Sequence, residues 1–245
     1  MSDLDLSVVV PIRNEAGNIA PLVAEIERAL GSRMTFEVVY VDDGSTDGSG
    51  DELARLRLSR PWLRHIRHAQ PCGQSAAIRT GVLAAGAPAV VTLDGDGQND
   101  PAFIPALTAR LDEAGPGCGL VQGQRMGRRD TLSKKLQSRI ANAVRRTILR
   151  DGTRDTGCGL KCFPRTVYLG LPYFDALHRF MPALVRRDGF QVALVDVVDR
   201  PRLSGVSNYG LLDRVWVGIV DLFGVRWLIG RRRRVPAARE VGGAG

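Results

Sequence analysis

The sequence predicts an α/β protein built on a mainly parallel β-sheet with helices on both faces. Three observations lead there. Short apolar runs alternate with amphipathic stretches through the first two-thirds of the chain, a rhythm that builds crossover units rather than hairpins. The runs are continuously apolar, as strands covered on both sides are. The polar clusters fall where those runs end, which is where parallel α/β sheets bind ligands.

Taken in order, Leu6 to Ile12 reads as a buried strand and Ile19 to Leu30 as a helix, with Asn18 a candidate N-cap. Phe36 to Val41 is a second strand. Asp51 to Leu58 is a helix that Ser49 could cap, and Leu63 to Arg67 a short strand. Ser75 to Ala85 reads as a helix, Ala89 to Leu93 as a strand, Ala102 to Ala114 as a helix and Leu120 to Gly123 as a strand. From about Asp130 the character changes. Leu132 to Arg150 is basic, with Lys134, Lys135, Arg139, Arg145, Arg146 and Arg150, and its Leu136, Ile140, Val144 and Ile148 recur at helical spacing. Gly157 to Phe163 returns a strand, Ala176 to Arg187 a helix and Gln191 to Val198 a strand. Leu211 to Ile229 is apolar but interrupted by Asp213, Arg214, Asp221 and Arg226, and Arg231 to Arg234 follow.

The 245 residues suffice for one large domain with a short appendage. A formal net charge of +8 favours anionic partners. Aromatic content is only 6 % and no basic-aromatic interleaving is present, so nucleic acid is not the expected one. Met1 to Asp5 carries two acids and no apolar run, so no secretory signal is expected. No stretch of about 18 uncharged apolar residues suggests a membrane span. The four cysteines form no CxxC pair, and Cys158 and Cys162 have no histidine nearby to complete a zinc set. Free thiols in a reducing compartment are expected.

Three polar clusters carry the chemistry. Val10-Pro11-Ile12-Arg13-Asn14-Glu15 ends the first strand, where a plain strand-to-helix loop would use the same residues. Val41-Asp42-Asp43-Gly44-Ser45-Thr46-Asp47 ends the second. An acid after a strand suits ribose hydroxyls, but no GxGxxG loop precedes it, so a dinucleotide site is not expected. Leu93-Asp94-Gly95-Asp96-Gly97-Gln98-Asn99-Asp100-Pro101 ends a third strand. Two carboxylates one residue apart, with an amide oxygen two further on, suit Mg²⁺ or Mn²⁺ with positions left open for phosphate oxygens. A calcium loop of the EF-hand type is disfavoured, because Pro101 interrupts it and the twelfth-position Glu is missing. Together the clusters describe a pocket for a nucleoside diphosphate and a metal.

The ordered set resembles glycosyltransferase family 2, whose members have the GT-A fold. The matching residues are Val10-Pro11 with Asn14-Glu15, Val41 to Asp47, Gly73-Gln74 leading to Arg79-Thr80-Gly81, and Asp94 to Gln98. Asp155-Thr156-Gly157-Cys158-Gly159-Leu160-Lys161 is similar to an Asp-x-x-(Ser/Thr)-Gly segment of that family, somewhat altered. His178 to Leu184 and Arg202 to Tyr209 resemble elements of its dolichol- and polyprenyl-phosphate sugar synthases. The resemblance covers roughly residues 5 to 212 and implies an inverting transferase that moves a sugar from a GDP- or UDP-linked donor onto a polyprenyl phosphate. It implies that Pro11, Asn14, Glu15 and Asp42, with Asp43 and Gln74, hold the nucleotide sugar, and that Asp94 lies beside the diphosphate and sugar. It implies that Asp96 and Gln98 ligate the divalent metal and that Arg202 and Ser207 close over the diphosphate. Asp94, Asp96 and Arg202 would be the catalytic residues. For the acceptor phosphate it implies Arg125, Lys134 and Ser138, with Lys134 where relatives carry Arg.

A phosphate monoester acceptor is already anionic and needs little or no general base. A hydroxyl acceptor on a glycan or lipid, the alternative within the family, would need a carboxylate base. A sugar-nucleotide-binding protein without activity is disfavoured by the intact Asp94, Asp96 and Gln98. The expected organisation is a GT-A domain over 5–210, a C-terminal amphipathic membrane-interface helix and basic run over 211–234, and a flexible tail over 235–245. Such a chain would lie on the inner face of the cell membrane, with a cytoplasmic domain and possibly an integral-membrane partner.

Overall fold

A computed structural model describes residues 4–126, 148–149, 152–153, 155–200 and 211–232. The elements in chain order are β1 (Leu6–Ile12), α1 (Ala16–Leu30), β2 (Phe36–Asp42), α2 (Ser49–Arg57), β3 (Leu63–Arg67), α3 (Gln74–Ala84) and β4 (Ala89–Thr92). A 3₁₀ turn (Pro101–Phe103) then runs into α4 (Ile104–Ala114), followed by β5 (Cys118–Arg125) and β6 (Lys161–Pro164). The remaining described elements are α5 (Arg165–Gly170), α6 (Leu177–Arg187), β7 (Gln191–Val197) and α7 (Leu211–Gly230).

The seven strands form one sheet in the order β3-β2-β1-β4-β6-β5-β7. β3, β2, β1 and β4 run parallel, as does the β5–β7 pair, and β6 runs antiparallel between them. The mainly parallel sheet expected from the sequence is present. Alternate residues of one strand face opposite sides. Val8, Val10, Val38 and Tyr40 accordingly join a core under α1, α2 and α4. Val9, Val39 and Val41 join a second core under α3, α5, α6 and α7.

Several boundaries shift for local reasons. α1 starts at Ala16, with Glu15 at the cap position, and Asn18 sits buried in its first turn rather than capping it. Ser49 begins α2 instead of preceding it, and its hydroxyl accepts from Glu15 N at 3.0 Å and donates to Asp47 Oδ1 at 2.5 Å. The Gly157–Phe163 strand shrinks to Lys161–Pro164, because the preceding residues turn toward the site. α5 has six residues, too few to show a helical period in sequence. Of the basic segment 132–150 only Ile148 and Leu149 are described, and Leu149 is buried in the second core. α7 is helical as expected. Leu222 and Val225 are buried while Val220, Phe223 and Trp227 are exposed. Among the described residues no helix is long and apolar enough to cross a membrane.

Candidate active site

Strand register brings the three sequence clusters together. Ile12 pairs with Asp42, and Val9 with Thr92, so Asp94 emerges beside Pro11 at the edge where β2 delivers Asp42. The chain crosses here with no room to spare: a Cβ on Gly95 would lie 2.4 Å from Ile12 Cγ2 and 3.0 Å from the Pro11 carbonyl.

The β1 and β2 loops interlock. Asn14 takes a left-handed backbone conformation, φ 58°, which Asn tolerates better than most residues. Its N–H donates to Ser45 Oγ at 2.9 Å, and its Oδ1 accepts from Thr46 N at 2.8 Å. Glu15 accepts from the Asn18 amide. Asp42 is fully buried, and its Oδ1 accepts from Ser45 N at 2.7 Å. Its Oδ2 lies 3.8 Å from His65 Nε2 and 3.7 Å from Arg67 Nε, and neither it nor His65 Nε2 has a hydrogen-bond partner among the described residues. Burial lowers the His65 pKa below its usual value despite the nearby Asp42 carboxylate.

Asp43 uses both carboxylate oxygens inside the protein. Oδ1 meets His68 Nδ1 and Cys72 N, each at 2.8 Å, and Oδ2 accepts from Gly73 N at 2.8 Å. Burial opposes its charge, but the bonds from Cys72, His68 and Gly73 outweigh it and hold its pKa below 3.8. His68 Nε2 continues to Thr80 Oγ1 at 2.9 Å, so the cluster fastens β2, β3 and α3 together. Asp43, His68 and Cys72 also form the one group among the described residues whose three ligand atoms lie within 4.8 Å of one another. The hydrogen bonds already made there give it a loop-fastening role. All four cysteines are free, with Cys72 exposed and the others buried.

The loop fastened by Asp43 leads through Gly73, φ 91°, into α3, whose first residue Gln74 donates from Nε2 to Asp94 Oδ1 at 2.8 Å. Asp94 N donates to Asn99 Oδ1 at 2.9 Å. The Asp94 side chain is enclosed by protein on most sides, though its tip reaches the cleft. Burial, then the charges of Asp96 and Asp199 against Lys161 and Arg125, push its pKa up to about 6. Asp96 is nearly buried and its Oδ1 accepts from Gln98 N at 3.1 Å. The Gln98 carbonyl accepts from Arg200 N at 2.9 Å, which ties the Asp96–Gln98 loop to the end of β7. Asn99 Nδ2 reaches Asp199 Oδ1 at 3.3 Å.

Arg125, at the end of β5, is clamped. Its Nε and Nη2 meet Asp155, the latter at 2.8 Å, and its Nη1 meets Asp199 at 3.3 Å. Burial opposes its charge, but Asp155 and Asp199 hold its pKa above the ordinary arginine value. Burial raises the Asp199 pKa against the pull of Arg125.

A small cleft lies beside Asp94, lined by Pro11, Gln74, Lys161, His178 and Met181 among others. The structure thus gathers Pro11, Asn14, Glu15, Asp42, Asp43, Gln74, Asp94, Asp96 and Gln98 at one sheet edge and links Arg125 to them through Asp199 and Asn99. Lys134, Ser138, Arg202 and Ser207 lie outside the described residues. Reading the sequence alone gave no role to Asn99, Asp155, Lys161 or Asp199. Asn99, Asp155 and Lys161 stood inside quoted motifs, and only the contacts of the folded chain reveal what they do.

The Glycosyl transferase family 2 profile matches residues 7 to 169, the greater part of the chain and the part that carries these strand-end clusters. The chain belongs to glycosyltransferase family 2. Its similarity to curated members extends beyond the profile. It is 33 % identical over 240 residues to a dodecaprenyl-phosphate galacturonate synthase of Rhizobium johnstonii, covering 96 % of this chain and 70 % of that one. It is 32 % identical over 215 residues to an undecaprenyl-phosphate 4-deoxy-4-formamido-L-arabinose transferase of Pectobacterium carotovorum subsp. carotovorum, covering 85 % of this chain and 63 % of that one. The chain therefore spans about two-thirds of these relatives' length. Among solved structures, glucosyl-3-phosphoglycerate synthase of Mycobacterium tuberculosis, in complex with Mn²⁺, UDP and glucosyl-3-phosphoglycerate, superimposes with a TM-score of 0.68 at 19 % identity, covering 92 % of this chain and 80 % of that one. That likeness shows the GT-A fold for this family 2 chain.

Proposed function

We propose that the protein transfers a sugar from a nucleoside-diphosphate sugar to a polyprenyl phosphate. The acceptor phosphate oxygen forms a bond to the anomeric carbon as the bond to the nucleoside diphosphate breaks, inverting that centre. One observation carries the reading: register sets Asp42, Asp94 and the Asp96–Gln98 loop side by side at the carboxyl edge of β1, β2 and β4. Both curated relatives described above are named for a sugar carried on a polyprenyl phosphate, which supports the acceptor class.

The residues present fit a divalent cation. The Asp94, Asp96 and Asp199 charges act on one another in a poorly solvated place, and an oxygen-only set of Asp96 and Gln98 suits Mg²⁺ or Mn²⁺. Bound there, the ion would supply positive charge to the leaving diphosphate. The chain's own residues do the rest. Asp42, with Pro11, Asn14 and Glu15, would hold the base and ribose at the same rim. Asp43 would act indirectly, by fixing the turn that presents Gln74. Gln74 holds Asp94 at the cleft. Arg202 and Ser207 would close over the diphosphate, and Lys134 and Ser138 with Arg125 would receive the acceptor phosphate. Arg125 reaches that phosphate only by loosening its contact with Asp199, the longer of its two carboxylate contacts.

A hydroxyl acceptor is the second reading, favoured by one observation. Arg125 is already held by Asp155 and Asp199 and so is not free for an acceptor phosphate. The exposed Phe223 and Trp227 on α7, beside Arg226 and Arg231, support docking on the inner leaflet near the lipid acceptor. An integral-membrane partner could share that face. The decisive assay offers undecaprenyl phosphate and a hydroxyl glycan acceptor with Mn²⁺ and a panel of GDP- and UDP-sugars, and scores the nucleoside diphosphate released. Turnover only with the hydroxyl acceptor would overturn the lipid-phosphate reading.

A further inference from the structure

Three contacts converge on the start of α3. Gly73 N, just ahead of it, donates to Asp43 Oδ2 at 2.8 Å. Gln74 Nε2 donates to Asp94 Oδ1 at 2.8 Å. Ser75 Oγ lies 2.7 Å from Nδ1 of His178, which stands in the first turn of α6. The first two contacts belong to the site already described. The third comes from a helix to which no donor, metal or acceptor role has been given. Ser75 is 1 % exposed, and His178 is the hydrogen-bond partner of its shielded hydroxyl among the described residues. His178 is neutral, its pKa pushed down to about 3 by burial and by the Lys161 and Arg179 charges. A neutral imidazole suits a hydroxyl partner and adds no charge beside Asp94. The rest of α6 fixes where the ring sits. Leu177, Phe180 and Met181 share the second core with Ala77 and Ile78 of α3. Ala176, ahead of α6, takes a left-handed backbone, φ 64°, and its N–H donates to Asp175 Oδ1 at 2.8 Å. That same oxygen lies 3.8 Å from where a Cβ on Gly73 would stand, so the starts of α3 and α6 abut.

We propose that His178 is a positioning residue for the donor site: acting through Ser75, it holds the first turn of α3 so that the Gln74 amide meets Asp94. This rests on the donor-site reading above and adds a residue to it. The cap position of α3 is Gly73, which has no side chain to accept from the first N–H groups. A helix end without such a cap frays, and Gln74 is the first residue of this one. Asp43 fixes the chain before Gln74, and His178 fixes the residue after it. With both neighbours held, only the Gln74 side chain is left to order, and its bond to Asp94 forms at a lower entropic cost. Asp94 in turn donates from its N–H to Asn99, at the far end of the loop that carries Asp96 and Gln98.

The test uses the whole chain, first without ligand. The Gln74 side-chain amide, identified by its absence from Gln74→Ala, should give a shifted, slowly exchanging signal in the nitrogen–proton NMR spectrum of the unaltered chain. In Ser75→Ala and in His178→Phe it should move to the position of a solvated glutamine. Ser75→Ala deletes one oxygen and disturbs packing least. His178→Asn should restore the signal, because the asparagine amide stands where Nδ1 stands and can donate or accept. An amide unmoved in both Ser75→Ala and His178→Phe overturns the proposal, and so does a His178→Asn chain no better than His178→Phe. Calorimetric titration with Mn²⁺ then takes UDP and GDP as probes. For the nucleotide that binds, Gln74→Ala, Ser75→Ala and His178→Phe should each weaken binding about two- to tenfold, the scale of one hydrogen bond. Adding His178→Phe to Gln74→Ala should change the affinity less than about twofold, although the melting temperature still falls. Full additivity of those two substitutions overturns the proposal, since it marks a helix contact that acts without Gln74. A chain that binds neither UDP nor GDP overturns the donor-site reading itself, and the ligand-free Gln74 signal tells that failure apart from this one.

Discussion

At Gly159 an added methyl would lie 2.3 Å from Asp94 Oδ2 and 2.6 Å from Asn99 Oδ1. Both groups belong to the hydrogen-bonded loop that carries Asp96, so neither can retreat without moving it. Gly159→Ala should therefore cost about 1–3 kcal/mol of stability, as overpacked sites do. It should also weaken nucleotide-sugar binding, and a thermal melt with a donor titration reads both. Asp96→Ala removes a proposed ligand while leaving the strands intact. It should lower kcat about 10²- to 10³-fold, the scale of losing one electrostatic contact at a reacting centre, with the melting temperature nearly unchanged. Near-normal turnover at saturating Mn²⁺ would reject the metal assignment. Sequence alone read both aspartates of this loop, because two acids one residue apart after an apolar run are a local pattern. The roles of Asp155 and Asp199 escaped it, since each acquires meaning only by meeting Arg125 from a distant segment.

Among the elements, the turn from β3 to α3 depends on Asp43. Asp43→Asn would set an N–H₂ against the backbone donors of Cys72 or Gly73 or against the His68 ring nitrogen. Leaving such groups unpaired costs about 1–3 kcal/mol, and the Michaelis constant for the donor should rise as Gln74 loses its register. At the amino edge of the sheet Glu37 joins Ser7 Oγ at 2.6 Å, Gly86 N and Arg64, which links β1, β2 and β3 to the end of α3. Burial works against the Glu37 charge, but Ser7, Gly86 and Arg64 hold its pKa below 4.5, as the Asp43 pKa is held below 3.8. Both folded values are depressed. Their stabilisation is complete above those unfolded values and is lost as pH falls through the folded ones. The melting temperature should therefore drop on acidification below about pH 4.5, and Glu37→Gln should melt lower at neutral pH with a shallower acid dependence. Parallel slopes for the two proteins would count against this network. Element positions were legible wherever an apolar run or a helical period stood alone. α5 was not, since six residues hold too little period to read, and β6 was read with its start placed too early.

The whole molecule carries a net charge of +8 and places an exposed Phe223 and Trp227 on its last described helix. Sedimentation with anionic liposomes should be strong at low salt. Phe223→Ser with Trp227→Ser should weaken it about tenfold or more, since each aromatic contributes on the order of 1–2 kcal/mol when buried in lipid, while the fold persists because neither side chain is packed. Removal of the chain after Gly210 should have at least as large an effect. Equal partition of all three forms would show that α7 is not the docking surface. By itself the sequence determined the α/β class, the mainly parallel sheet, the three loops at its carboxyl edge and the family, because each is written in contiguous residues whose period and order survive without coordinates. Tertiary structure alone decided that Asp43 fastens a loop, that Arg125 is held by two carboxylates, and that a buried Lys161 bonds the Cys158 carbonyl near Asp94. Those outcomes depend on burial and on partners tens of residues away, and neither quantity exists until the strands are set side by side.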